Sequence, residues 1–137
     1  MAKHVVARAS DLRDGERTLV TVKGREIVIF NIGGEYFALL NRCPHEGGSL
    51  VCGDQIGRVQ SQTPGRYGYS PEKTIIRCPW HAWEFDIRTG QSYCDPRRVR
   101  VRQYQVGESP GSDLVKGPYV AETFKVSSDE TYIFLEL

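Results

Sequence analysis

A chain of 137 residues is long enough to bury one ordinary hydrophobic core and too short for two, so one domain over 1–137 is expected. With 18 Lys and Arg against 17 Asp and Glu the net charge is +1, a balance that points to neither a nucleic acid nor a polyacidic partner. No apolar run could span a bilayer, and the start Met1-Ala2-Lys3-His4-Val5-Val6 has neither a hydrophobic signal core nor a twin arginine. A cytoplasmic protein without a membrane partner is expected, and its four cysteines read as ligands or thiols rather than a disulfide framework.

Short runs of Val, Ile, Phe, Tyr and Thr broken by glycine predict strands joined by tight turns. A first strand is expected over His4–Ala9, then a turn or a single helical turn at Ser10–Gly15. Thr18–Val22, Arg25–Ile32 and Glu35–Asn41 form a meander, because Lys23-Gly24 and Gly33-Gly34 can adopt the positive φ of hairpin turns. Further strands are expected over Thr74–Arg77, Trp83–Asp86, Gln91–Tyr93, Val99–Val106, Tyr119–Val126 and Thr131–Leu137, with a turn at Thr89-Gly90. This is the pattern of an all-β antiparallel sandwich or barrel. Between Gly53 and Lys73 the residues Gly57, Pro64, Gly65, Gly68 and Pro71 interrupt any regular pattern, and a loop is expected there.

Two short segments carry the chemistry. Cys43-Pro44-His45 and Cys78-Pro79-Trp80-His81 each offer one thiolate and one imidazole, with a proline directly after the cysteine. Four such ligands suit a tetrahedral Cys2His2 zinc, or a [2Fe-2S] cluster with cysteines on one iron and histidines on the other. Zinc half-sites usually pair like ligands, whereas both half-sites here are mixed, which favours two irons. Cys52 and Cys94 stand outside the pattern and read as thiols packed like small apolar residues.

The sequence resembles the Rieske family. Cys43-Pro44-His45-Glu46-Gly47-Gly48-Ser49-Leu50 is similar to the family's first cluster loop, and Cys78-Pro79-Trp80-His81-Ala82-Trp83-Glu84-Phe85-Asp86 with Thr89-Gly90 to its second. The resemblance implies a small cluster-binding subdomain over about 41–96, in which Cys43 and Cys78 hold the inner iron while His45 and His81 hold the outer one, near solvent. Asp95-Pro96 resembles the family's third, covering loop, so that Gly47, Gly48, Trp80 and Pro96 would rim the docking surface. High-potential members resemble one another in hydroxyl donors at the positions of Trp83 and Phe85 and in an extra cysteine in each loop; their absence implies the low-potential, oxygenase-associated type. The 32 residues between His45 and Cys78 exceed the gap in compact ferredoxins, making 53–73 an insertion expected to extend beside the cluster loops, where Arg66, Tyr67 and Tyr69 either select a partner or form a solvated excursion.

The resemblance implies a one-electron carrier that meets a flavin-dependent reductase and a terminal oxygenase transiently and has no small-molecule substrate of its own. Once the cluster is served only His4 remains, too few histidines for an oxygenase iron site, and no Gly-x-Gly-x-x-Gly follows a strand to hold a reductase's nucleotide. A Rieske subunit fixed in a larger oxidoreductase and a zinc-binding interaction module are the other two readings. Arg97, Arg98, Arg100 and Arg102 form a basic segment after Pro96, either a solvated face or a surface that steers an acidic partner.

Overall fold

The computed structural model describes residues 3–44, 48–57, 59–63, 66–69, 73–79, 83–93, 100–114 and 127–137. Its strands in chain order are β1 (Lys3–Arg8), β2 (Arg17–Val22), β3 (Arg25–Ile32), β4 (Glu35–Leu40), β5 (Asp54–Ile56) and β6 (Val59–Thr63). They continue as β7 (Arg66–Tyr69), β8 (Ile75–Arg77), β9 (Glu84–Asp86), β10 (Gln103–Pro110) and β11 (Thr131–Glu136). Short 3-10 turns at Ala9–Asp11 and Leu50–Cys52 and one short helix, α1 (Gly111–Leu114), complete the described elements. The predicted strand Tyr119–Val126 falls outside the described residues.

Six strands form an antiparallel sheet in the order β1-β11-β10-β4-β3-β2. The hairpins β2–β3 and β3–β4 turn where expected, with positive φ at Lys23 and Gly24 and at Gly33 and Gly34. Residues from all six strands, among them Val6, Val22, Ile29, Ala38, Tyr104 and Leu135, meet in one apolar cluster, so this sheet curls around its own core. Buried Asn31 fastens the turn that follows the first 3-10 segment: its Nδ2 donates to the Leu12 carbonyl at 2.9 Å and its Oδ1 accepts the Gly34 N–H at 3.0 Å.

β3 is apolar nearly throughout because both its faces are covered. Ile27 and Ile29 point into the sheet's own core, while Val28, Phe30 and Ile32 point outward into a second cluster with Cys43, Leu50, Ile76, Cys78 and Phe85. Over that outer face lies a small sheet of three-residue strands, ordered β5-β8-β9. An all-β fold is therefore built of one large curled sheet and a small sheet that carries the cysteine segments.

Three expectations need correction. The stretch from Gly53 to Lys73 is not simply a loop: β5 pairs with β8, and β6 pairs with β7 as a separate ribbon. The ladder is made by backbone groups, which polar Gln, Ser and Thr supply as well as apolar residues do. Among the described residues, Gln91–Tyr93 forms no strand but makes the bridges Phe85↔Ser92 and Gln91↔Arg100 and backbone bonds to Asp86 and Glu84. Finally, β10 begins at Gln103 rather than Val99: Val101 still donates to the Gly90 carbonyl of the small sheet's turn, and only from Gln103 does the chain register against β4. The strand continues through Gly107, where the Phe134 ring occupies the space of an absent side chain.

Candidate metal centre

The two cysteine loops are closed in the same way. The Cys43 N–H donates to the Gly48 carbonyl at 2.8 Å, and the Cys78 N–H donates to the Trp83 carbonyl at 2.7 Å. Each cysteine thus bonds to the carbonyl five residues further on, so the echo in sequence is also an echo in backbone.

Asn41 fastens the first loop from its base. Its Oδ1 accepts the Val51 N–H at 2.7 Å, its Nδ2 donates to Ser49 Oγ at 2.9 Å, and its own N–H donates to the Glu26 carbonyl of β3 at 2.9 Å. The chain then passes Gly53, where an added Cβ would stand 2.0 Å from the Arg77 carbonyl oxygen. Only glycine permits that approach, which brings the exit of the first loop against the residue preceding Cys78. The second loop is framed by the pair Arg77↔Glu84, whose side chains also meet at 3.5 Å.

Cys43 is 0% exposed and Cys78 1%, and both belong to the apolar cluster that contains Leu50, Ile76, Phe85 and Ile87, with Trp83 packed against it. A thiolate in such surroundings requires a cation beside it, because burying an unpaired charge is strongly unfavourable. Two cysteines in one apolar cluster, on loops of matching closure, fit a thiolate-bound metal group. Phe85 offers the cluster no hydroxyl and is fully buried.

His45 and His81 lie outside the described residues, as do Gly47, Trp80, Cys94, Pro96, Arg97 and Arg98. Gly48 is buried, its carbonyl turned to the Cys43 N–H, whereas the resemblance implied a place on the docking rim. Cys52 is exposed and in no disulfide, against the expectation of an apolar packing role. The 3-10 turn accounts for this, since it turns Leu50 into the core and Cys52 out. His4 is buried in β1 opposite Leu135 and so belongs to the large sheet. Arg100 and Arg102 are exposed on either side of buried Val101. Asn41 escaped the sequence reading because its partners lie 8 and 10 residues away, and an amide at a strand end carries no motif.

The chain is similar to known proteins in sequence and in fold. A family model described as the Rieske [2Fe-2S] domain matches residues 2–105. The ferredoxin component of the naphthalene 1,2-dioxygenase system of Pseudomonas putida is 30% identical over 97 residues, which span 71% of this chain and 78% of that protein. Among solved structures, the ferredoxin of carbazole 1,9a-dioxygenase from Nocardioides aromaticivorans IC177 is similar with a TM-score of 0.59 at 23% identity, covering 97% of both chains. The Sphingomonas yanoikuyae B1 ferredoxin is similar with a TM-score of 0.55 at 27% identity, covering 75% of this chain and 86% of that one.

The matching family model and the ferredoxin relatives put the chain in the class of electron-transfer proteins. The chain belongs to the Rieske [2Fe-2S] domain family, and its cofactor is a [2Fe-2S] cluster. Among the described residues, no helix is long and apolar enough to cross a membrane.

Proposed function

We propose that this protein is a low-potential carrier that takes single electrons from a flavin-dependent reductase and delivers them to a terminal oxygenase, holding its cluster with Cys43, His45, Cys78 and His81. The observation that carries the proposal is the pair of matching loop closures that present two fully buried cysteines to one apolar cluster. When bound, the cluster supplies reversible one-electron chemistry at a potential tuned by its surroundings. Cys43 and Cys78 would hold one iron, and Leu50, Ile76 and Phe85 pack with them in one apolar cluster that excludes water. His45 and His81 would hold the other iron, and a partner would be met on their side of the cluster.

Trp83 and Phe85 stand where high-potential relatives offer hydroxyl donors, and without those donors the reduced state is less stabilised. That favours handing electrons onward. Gly47, Trp80 and Pro96 border the docking face, while Arg100 and Arg102 steer an acidic partner surface. A transient complex suits the task, because the carrier must leave as quickly as it arrives. The oxygenase partner is supported by the role of the Pseudomonas putida relative, a ferredoxin component of a dioxygenase system. Residues 1–137 act as one domain of the cytoplasm, with the insertion as an outgrowth of its cluster-binding part.

Anaerobic reconstitution followed by electron paramagnetic resonance of the dithionite-reduced protein tests the proposal. Iron and acid-labile sulfide are expected in equal amounts, with an average g value below that of an all-cysteine cluster. His81→Ala should lose or alter the signal, and Cys52→Ala should leave it unchanged. A colourless protein with one tightly held zinc sinks the cluster assignment, and a stable heteromer on gel filtration of native extract sinks the shuttle.

A further inference from the structure

Arg17 opens β2 on the large sheet, yet its guanidinium is spent on the small one. Nε donates to the Val51 carbonyl at 3.1 Å, Nη2 to the Gly53 carbonyl at 2.5 Å and Nη1 to Gln55 Oε1 at 3.2 Å. Val51 and Gly53 lie on the segment that joins the first cysteine loop to β5, and Gln55 lies in β5 itself. Gln55 Nε2 donates in turn to the Lys73 carbonyl at 2.9 Å, where the insertion comes back toward β8. Because Gly53 rests on the Arg77 carbonyl, one fork ties together the large sheet, the exit from the first loop and the entry to the second.

The charge of Arg17 is as informative as its hydrogen bonds. Each acceptor is neutral, and among the described residues no carboxylate pairs with it. Arginine stays protonated, and a half-buried cation held only by neutral oxygens gains from any negative group nearby. Val51, whose carbonyl it grips, packs against the apolar cluster that contains Cys43 and Cys78.

We propose that Arg17 is a positioning residue for the metal centre, fixing the two cysteine loops relative to each other and placing a permanent positive charge behind the thiolates that favours the reduced cluster. This rests on Cys43 and Cys78 being ligands. Lysine would keep the charge but lose the planar fork, while a carboxylate at position 55 would keep the fork and offset the charge.

Three proteins separate these effects: wild type, Arg17→Lys and Gln55→Glu, each loaded with iron and sulfide. Arg17→Lys should release iron to a chelator several-fold faster than wild type, with its potential nearly unmoved. Gln55→Glu keeps an acceptor for Arg17 but gives up the bond to the Lys73 carbonyl, so it is read for potential alone: its ratio of reduced to oxidised protein at the wild-type midpoint should fall about three-fold. For a one-electron couple that is a shift of about 28 mV downward. Unchanged iron release in Arg17→Lys overturns the brace, and an unmoved potential in Gln55→Glu overturns the charge. If Gln55→Glu does not fold, Arg17→Gln takes its place, with the same fall in potential expected and the same meaning if none occurs. Wild-type iron content reads the ligand assignment separately, since a wild type that binds no iron fails before either variant is compared.

Discussion

The two apolar clusters that share β3 are held together by different means. The first is enclosed by one curled sheet, and its ladders are long: β2 registers with β3 from Arg17↔Phe30 to Val22↔Arg25, and β10 registers with β11 from Gln105↔Glu136 to Pro110↔Thr131. The second lies under strands of three residues, contains both buried cysteines, and depends on side-chain fastenings from Asn41 and Arg17. Strands so short are marginal alone. One half therefore stands on burial and ladder, and the other, under the proposed ligation, is completed by the group it binds.

Removing the iron should produce the largest contrast. Metal binding contributes directly to the folding of a site whose ligands it joins. After anaerobic chelation, hydrogen exchange should show lost protection at the Cys43 and Cys78 amides, which close the two loops, while β3 and β11 amides stay protected. Equal loss in both halves would erase the contrast. Next in size is Ile29→Ala, a truncation in the first cluster, expected to cost about 2–5 kcal/mol. Its thermal unfolding should fall by a similar amount with iron bound or removed, and a loss seen only in the loaded protein would contradict the division.

The same division decides what could be read from sequence. β3 was legible with its observed limits, Arg25–Ile32, because an apolar run covered on both faces sits between two glycine turns. The cysteine segments were legible because their residue types are rare and their spacing repeats. The ribbon β6–β7 was not, since its ladder rests on backbone groups that leave no apolar alternation. Nor was Arg17, whose partners lie 34, 36 and 38 residues away and include two carbonyls that have no side-chain signature. The short 3-10 turn that exposes Cys52 was missed for a similar reason: its N-cap residue Ser49 makes no side-chain capping bond, its hydroxyl accepting instead from distant Asn41.

Asn41→Ala sharpens the comparison on a smaller scale. It removes the acceptor of the Val51 N–H and the donor to Ser49 Oγ, two bonds that hold the first loop's ends together. Leaving the partly buried Val51 N–H unsatisfied costs about 1–3 kcal/mol. The loss should appear as faster exchange at the Cys43 amide and faster iron release, with β11 protection unchanged. A uniform drop across both halves would mean that the loop and the large sheet unfold as one unit.

The smallest expected effect belongs to the large sheet alone. Between β4 and β10 only Gln103↔Leu39 and Tyr104↔Ala38 register, and beside this short seam the Tyr36 hydroxyl donates to Glu108 Oε2 at 2.8 Å. Burial, then the hydrogen bond to Glu108 and its negative charge, push the Tyr36 hydroxyl up to about 12. An unfolded chain loses this proton near its ordinary value of about 10, so the folded state binds more protons above that pH. The contribution is thus complete below about pH 10 and lost as the pH rises through about 12. Tyr36→Phe should lower the urea midpoint slightly at pH 7, by on the order of 1 kcal/mol or less, and flatten the decline above pH 10. Measured on iron-free protein, the alkaline decline reports the large sheet without the metal centre, and an identical decline in Tyr36→Phe would show that the seam does not depend on this pair.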